Sequence, residues 1–372
     1  MANPSRPGSR ATGYTPRTAG PHTAGRTAAD RPRLPTLEDV ARLAGVSRAT
    51  VSRVINGVRN VDPDLHAVVW SAVDATGYVP NRAARSLVTR RAGTIALVVS
   101  DSHDHDADPF FSRFLADPFF GRAVGGAMSV LGATTIQLAL HLLGSEQARA
   151  RLVGDLRHGQ ADGVLLLSLH PDDTLPARLV EAAIPVVLVG RPARPTPISY
   201  VDVANELGAA LAVDHLLSRG CRQVALVGGL ADTPASQDRS AGFRQAMARR
   251  GRAWSPYEAG DFTRDSGEAA MRRLLDRHPD VDGVFVANDL MAQGALNALR
   301  SAGRRVPEDV AVVGFDDSSA AQAAQPPLTT VRQPLEDMAA EATRMLLARV
   351  DDPGLANSSV IFDPLLVVRA SA

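Results

Sequence analysis

The sequence predicts an α/β protein in which a short all-helical N-terminal segment precedes two lobes built on parallel sheets. Between Thr36 and Gly77 apolar residues recur at helical spacing in three short runs. Beyond Gly93 the texture changes to continuous β-branched runs alternating with helical stretches, the pattern of parallel strands covered on both faces. A length of 372 residues, 45% of them hydrophobic, is enough for several separate cores.

The elements follow in order. Residues 1–35 are rich in Ser, Thr, Gly, Pro, Ala and Arg without a hydrophobic period, and read as a disordered arm. Thr36 is placed to cap a first helix whose Val40, Leu43 and Ala44 share one face, with Glu38 and Asp39 in its first turn. Gly45-Val46 breaks that run, and Ser47 opens a second helix from Arg48 to Ile55 that turns Val51 and Val54 inward. A third helix starts at Pro63 and stops at Gly77, completing a compact unit over residues 36–80. The segment 81–93 holds a helix too short to be stable alone, expected to fold only on binding. From 94 to 372 the apolar runs 94–100, 163–168, 185–189, 223–228, 283–287 and 310–314 predict two α/β lobes, about 94–196 and 197–326, with a C-terminal segment crossing back. A ligand site is expected at the strand C-termini in the cleft between lobes.

Charge is distributed unevenly. Residues 1–93 hold fourteen arginines against six acids, a net of +8, whereas the remainder holds twenty-six against thirty-four, a net of −8. A basic N-terminal part suits a polyanion such as nucleic acid. All forty basic residues are arginine, a uniform bias that points to base composition of the coding sequence more than to function. The single cysteine, Cys221, excludes an intrachain disulfide and a cysteine-based metal site. No run reaches the length of an apolar membrane span and no secretory leader is visible, so a cytoplasmic location without membrane contact is expected.

The stretch Thr36 to Asn56 closely resembles the helix-turn-helix of the LacI/GalR family of bacterial transcriptional regulators. Further matches are Gly77-Tyr-Val-Pro-Asn81, Asp117-Pro-Phe-Phe120, Ile184-Pro-Val-Val187, Arg239-Ser-Ala-Gly-Phe243, Ala287-Asn-Asp-Leu-Met-Ala292, Val306-Pro-Glu-Asp-Val310, Val313-Gly-Phe-Asp-Asp317 and Pro327-Leu-Thr-Thr-Val-Arg-Gln333, in family order. The resemblance implies a helix-turn-helix DNA-binding domain followed by a two-lobed, periplasmic-binding-protein-like effector domain. It implies a homodimer on pseudo-palindromic, double-stranded operator DNA, acting as a repressor under a small-molecule effector, a carbohydrate first and a nucleobase or nucleoside second. No appended heptad helix follows the last strands, so a tetramer is not expected.

On the second helix Arg48, Ala49 and Arg53 can face one major groove, Arg reading guanine and Ala a thymine methyl. Ser47, Thr50, Ser52 and Asn56 are short polar groups suited to phosphate. The alternative for the two arginines is ordinary solvated charge. In the hinge, the resemblance implies that Leu87 wedges into the minor groove with Ala84 on the same face; a linker leucine packed on the core is the alternative. For the effector, it implies Phe119, Phe120, Arg239, Phe262 and Asp289, the rings stacking on sugar faces and the charged groups bonding hydroxyls. Core packing is an equal reading for either Phe119 or Phe120, and helix capping a rival for Asp289. Asp108-Pro-Phe-Phe111 duplicates the motif at 117–120; the second copy is preferred because a helical run follows it. The polar stretch His103 to Asp108 has metal-ligand chemistry but no supporting cluster and reads as a solvated loop, so neither metal nor cofactor is expected. Two other classes fit the sequence less well. A solute receptor of the same fold would need a secretory leader and no helix-turn-helix. An enzyme using Asp316 and Asp317, or Ser168 and His170, would lack any recognisable nucleophile elbow or phosphate loop.

Overall fold

The computed structural model describes Arg33 and residues 35–55, 62–79, 91–100, 117–168, 170–252 and 254–372. The chain divides into two compact units between residues 81 and 82.

The first unit contains α1 (Leu37–Ala44), α2 (Arg48–Ile55) and α3 (Pro63–Thr76). Thr36 and Asp39 close a reciprocal cap on α1: the Thr36 backbone N–H donates to Asp39 Oδ2 at 2.9 Å and the Asp39 N–H to Thr36 Oγ1 at 3.4 Å. Gly45 ends α1 with φ of 65°, the left-handed conformation that lets the chain reverse at once into α2. Ser47 then caps α2, its Oγ accepting from the Thr50 N–H at 3.1 Å. Val40, Val51, Val54, Ile55, Val69, Val73 and Tyr78 make the core. Each wholly buried aliphatic side chain contributes about 1.5–3 kcal/mol, which holds three helices of this size together.

The second unit carries two six-stranded sheets. The first contains β1 (Thr94–Ser100), β2 (Gln137–Leu143), β3 (Gly163–Ser168), β4 (Val186–Val189), β5 (Ser199–Val203) and β11 (Ser359–Phe362), in the order β2-β1-β3-β4-β5-β11 and all parallel. The second contains β6 (Val224–Gly228), β7 (Tyr257–Ala259), β8 (Gly283–Val286), β9 (Ala311–Asp316), β10 (Thr329–Arg332) and β12 (Leu365–Val367), in the order β7-β6-β8-β9-β10-β12, with only β12 antiparallel.

Helices cover both faces of each sheet. On the first, α4 (Pro118–Leu131) and α12 (Leu335–Asp351) lie opposite α5 (Glu146–Arg157) and α6 (Leu175–Glu181). On the second, α7 (Asn205–Ser218) and α8 (Pro234–Arg249) lie opposite α9 (Arg264–Arg277) and α10 (Asp289–Ser301), with α11 (Ser319–Ala323) beside α10. The α4–α12 contact is close enough that a Cβ on Gly126 would come within 2.2 Å of the Glu336 carbonyl oxygen.

The lobe limits differ from the expected 196/197. The proline-rich stretch 192–197 resembles a linker in sequence, but it is a loop within one lobe: β5 pairs with β4 through Val189 and Val201 and buries Val201 and Val203. The chain passes between lobes after β5, after β10 and between β11 and β12, and the second lobe extends to β10, beyond residue 326. Residues 1–32 and 34 of the arm, the hinge residues Ala84 and Leu87, Asn56, the first Asp-Pro-Phe-Phe copy and the His103–Asp108 stretch lie outside the described residues.

Candidate functional site

Two surfaces have the chemistry of recognition. In the first unit α2 turns Val51, Val54 and Ile55 into the core, which leaves Arg48, Ala49 and Arg53 exposed on the opposite side. Arg53 Nε donates to the Ala49 carbonyl at 3.4 Å, so both lie on one stripe of the helix. Arg48 pairs with Glu38 at 3.1 Å, both ends well exposed, a contact of about 0–1 kcal/mol that phosphate or guanine can replace. Ser47 Oγ and Thr50 Oγ1 lie 2.9 Å apart at the N-terminus of the helix, and Ser52 is half-buried one turn on.

In the second unit a cavity of about 550 Å³ lies between the lobes at the strand C-termini. Asp117 caps α4, its Oδ1 accepting from the Phe119 N–H at 2.9 Å, and so aims Phe119 and Phe120 into the cleft. Their rings meet edge to face, centroids 5.4 Å apart. The second Asp-Pro-Phe-Phe copy contributes Asp117, Phe119 and Phe120 to the cavity wall. Phe262 enters from the other lobe on a left-handed backbone with φ of 69°, held by Asn288 Nδ2 donating to its carbonyl at 3.0 Å. Gly229 makes room for that ring; a Cβ there would sit 2.2 Å from Phe262 Cζ.

Arg239 is the buried charge of the site. Its Nε donates to Asn205 Oδ1 at 2.8 Å, Nη1 to the Ala287 carbonyl at 2.5 Å and Nη2 to Gln333 Oε1 at 3.0 Å. The guanidinium lies 3.6 Å from the centroid of the Phe315 ring. The Asp316 carboxylate is 3.9 Å away. Burial lowers the Arg239 pKa, opposed by Asp316 and Asp202. Burial likewise pushes the Asp316 carboxyl well above the usual range, opposed by Arg239. Asp202 is raised by burial too, although it accepts from the backbone N–H groups of Val203 and Arg191. Arg191 reaches from the first lobe to pair bidentately with Asp238 of the second, both contacts 2.7 Å.

Phe119, Phe120, Arg239 and Phe262 thus converge, and Asp289 does not. Its side chain is 1% exposed and off the cavity wall. Its carboxylate accepts from Thr330 Oγ1 at 2.6 Å and from the Ser318 N–H and Oγ at 2.8 and 2.9 Å. Nor does it cap its own helix: Asn288 does, accepting from the Met291 N–H at 2.9 Å. Asp289 instead ties the turn after β9 to β10. The polar wall is supplied by Asn288, Asp316, Asp202, Asn205, Arg191 and Gln333, which were not singled out from sequence as effector ligands. The run Gly-Phe-Asp-Asp at 314–317 was the available signal, but the left-handed φ of 113° that turns Asp316 inward is not written in it.

Comparison with known proteins finds relatives of both units. The model described as "Bacterial regulatory proteins, lacI family" matches residues 36–81, and that described as "Periplasmic binding protein-like domain" matches residues 213–372. The HTH-type transcriptional regulator CelR of Thermobifida fusca is 46% identical over 346 residues, 92% of this chain and 99% of CelR. The chain belongs to the LacI family of bacterial regulatory proteins. Among solved structures of LacI-family proteins, a CelR–cellobiose complex superimposes with a TM-score of 0.71 at 44% identity, over 91% of this chain and 100% of that one. A Lac repressor dimer bound to operator and the anti-inducer ONPF gives 0.77 at 26% identity, over 91% and 99%. As a LacI-family member the chain is a DNA-binding transcriptional regulator, with α1 and α2 as its helix-turn-helix and the two-sheet unit as its effector-binding domain. No helix among the described residues is long and apolar enough to cross a membrane.

Proposed function

We propose that this regulator is a homodimeric repressor whose operator affinity is set by a neutral glucose disaccharide of the cellobiose type. The observation that carries the proposal is the make-up of the cleft: Phe119, Phe262 and the more deeply buried Phe120 line it with apolar surface, while Arg239, Asp316, Asp202 and Asn288 offer directed hydrogen bonds to hydroxyls. At about 550 Å³ the cavity is within the range of about 300–1,000 Å³ usual for small-molecule sites. Identity of 44% to a chain solved with cellobiose supports the same ligand class.

On DNA, Arg48, Ala49 and Arg53 read base edges while Ser47, Thr50, Ser52 and Asn56 contact phosphate. Ala84 and Leu87 of the two protomers meet in the minor groove at the centre of a pseudo-palindrome. The chain acts at the nucleoid, in the cytoplasm, and carries out no catalysis. The test is fluorescence anisotropy of the full chain on its operator, titrated with cellobiose, glucose and ribose. Cellobiose is expected to change operator affinity by about 5- to 150-fold, the usual range of coupling between sites, and Arg239→Met to abolish the response while DNA binding without sugar persists. A response to ribose instead would overturn the ligand assignment.

A further inference from the structure

Arg122 lies on α4 in the first lobe, off the cavity wall, and is 18% exposed. Its guanidinium reaches out of its own lobe. Nη1 donates to the Asp316 carbonyl at 2.9 Å, at the end of β9 in the second lobe. Nη2 donates to the carbonyl of Gln333, where the chain passes back between lobes, at 3.0 Å. Nε and Nη2 also grip the Glu336 carboxylate at 2.7 Å each. Four of the five donors of a planar guanidinium are therefore used, and they fix it in one orientation.

The two carbonyls matter because of what their side chains do. Asp316 and Gln333 both line the cavity and both face Arg239, one as a carboxylate 3.9 Å away and one as an amide acceptor at 3.0 Å. Asp316 holds its carboxylate there on a backbone with φ of 113°, which residues other than glycine rarely adopt and which persists only when surrounding bonds over-determine it. We propose that Arg122 is a positioning residue for the effector: by binding the Asp316 and Gln333 carbonyls it sets the side chains that bond the sugar, and it ties their position to α4, the helix that also presents Phe119 and Phe120. The proposal rests on the assignment of the cleft to a sugar.

The competing account is that Arg122 and Glu336 form only an ordinary ion pair between α4 and α12. Glu336 is 51% exposed, but its pair with Arg122 is bidentate, the geometry in which a partly exposed ion pair still contributes. The two accounts separate by substitution. Arg122→Met removes the carbonyl bonds and the pair; Glu336→Gln removes the charge of the partner and leaves both carbonyl bonds. By calorimetric titration of the full-length protein with cellobiose, R122M is expected to weaken binding by about tenfold or more, the scale of one charge-assisted hydrogen bond. E336Q is expected to stay within about threefold, and sugar-free operator affinity within about threefold for both. Equal losses in the two variants, or none in R122M, would overturn the proposal. Hydrogen exchange gives a ligand-independent readout: the amides of Asp317 and Ser318 are expected to exchange faster in R122M than in wild type, and unchanged in E336Q. If wild type binds no sugar of the panel, the effector assignment fails and exchange alone decides for Arg122; unaltered exchange in R122M would then reject it.

Discussion

Asp289 gathers three hydrogen bonds on one buried carboxylate, and its burial makes the stability of the second lobe depend on pH. Burial pushes its pKa up to about 6, against the hydrogen bonds from Thr330 and Ser318 that pull it down. The folded state therefore holds a proton that the unfolded chain releases near 4. The corresponding stabilisation, about 3 kcal/mol in scale, is complete below pH 4 and is lost as pH rises through about 6. Asp316, also raised by burial, adds in the same direction. Asp289→Asn is accordingly expected to flatten the fall in stability between pH 4 and 6 and to be no less stable than wild type at pH 7. Asp289→Ala leaves the Ser318 and Thr330 donors without their acceptor and is expected to cost at least about 2 kcal/mol at either pH. Urea denaturation at pH 5 and 7 measures both. The sequence placed Asp289 after a strand, where effector ligand and helix cap look alike; the bonds to Ser318 and Thr330 give it instead the role of an anchor.

At the scale of elements, α2 was almost wholly legible. Its cap, its inward valines and its outward arginines are set by local spacing, and eight residues suffice to state which side faces away from the core. The prediction belongs to that face. Arg53→Ala is expected to lower discrimination between operator and scrambled DNA by about 1–3 kcal/mol, whereas Thr50→Ala should weaken both DNAs alike; competition anisotropy at fixed salt distinguishes them. The strands were less evenly visible. Buried β3 and β6 show as apolar runs, but β5 alternates as Ser-Tyr-Val-Asp-Val, and the edge strand β7 has only three residues. Their pairing depends on neighbours remote in sequence. Hence the first lobe was expected to end before β5.

For the whole molecule, the three passages between lobes make the effector unit one body with the cavity at its seam. The two units have separate cores. A fragment of residues 91–372 is therefore expected to fold, to bind the same sugar with unchanged affinity and to lose operator binding. Sugar at about a hundred times its Kd should add about 2.7 kcal/mol and raise the melting temperature by about 5 °C. Differential scanning calorimetry of fragment and full chain checks this; a fragment that fails to bind would place part of the site outside the effector unit.

The sequence by itself determined the order of units, the helix-turn-helix with its outward face, the α/β class and the family, because capping, periodicity and motif order are local properties of a chain. It also indicated Phe119, Phe120, Arg239 and Phe262. Tertiary structure alone decided that Asp289 is an anchor, that Asp316 and Asn288 replace it on the cavity wall, and that Arg122 binds the carbonyls behind them. Those contacts join residues up to 211 positions apart and depend on a left-handed backbone at Asp316. Only the packing of both lobes around three chain passages brings such residues together.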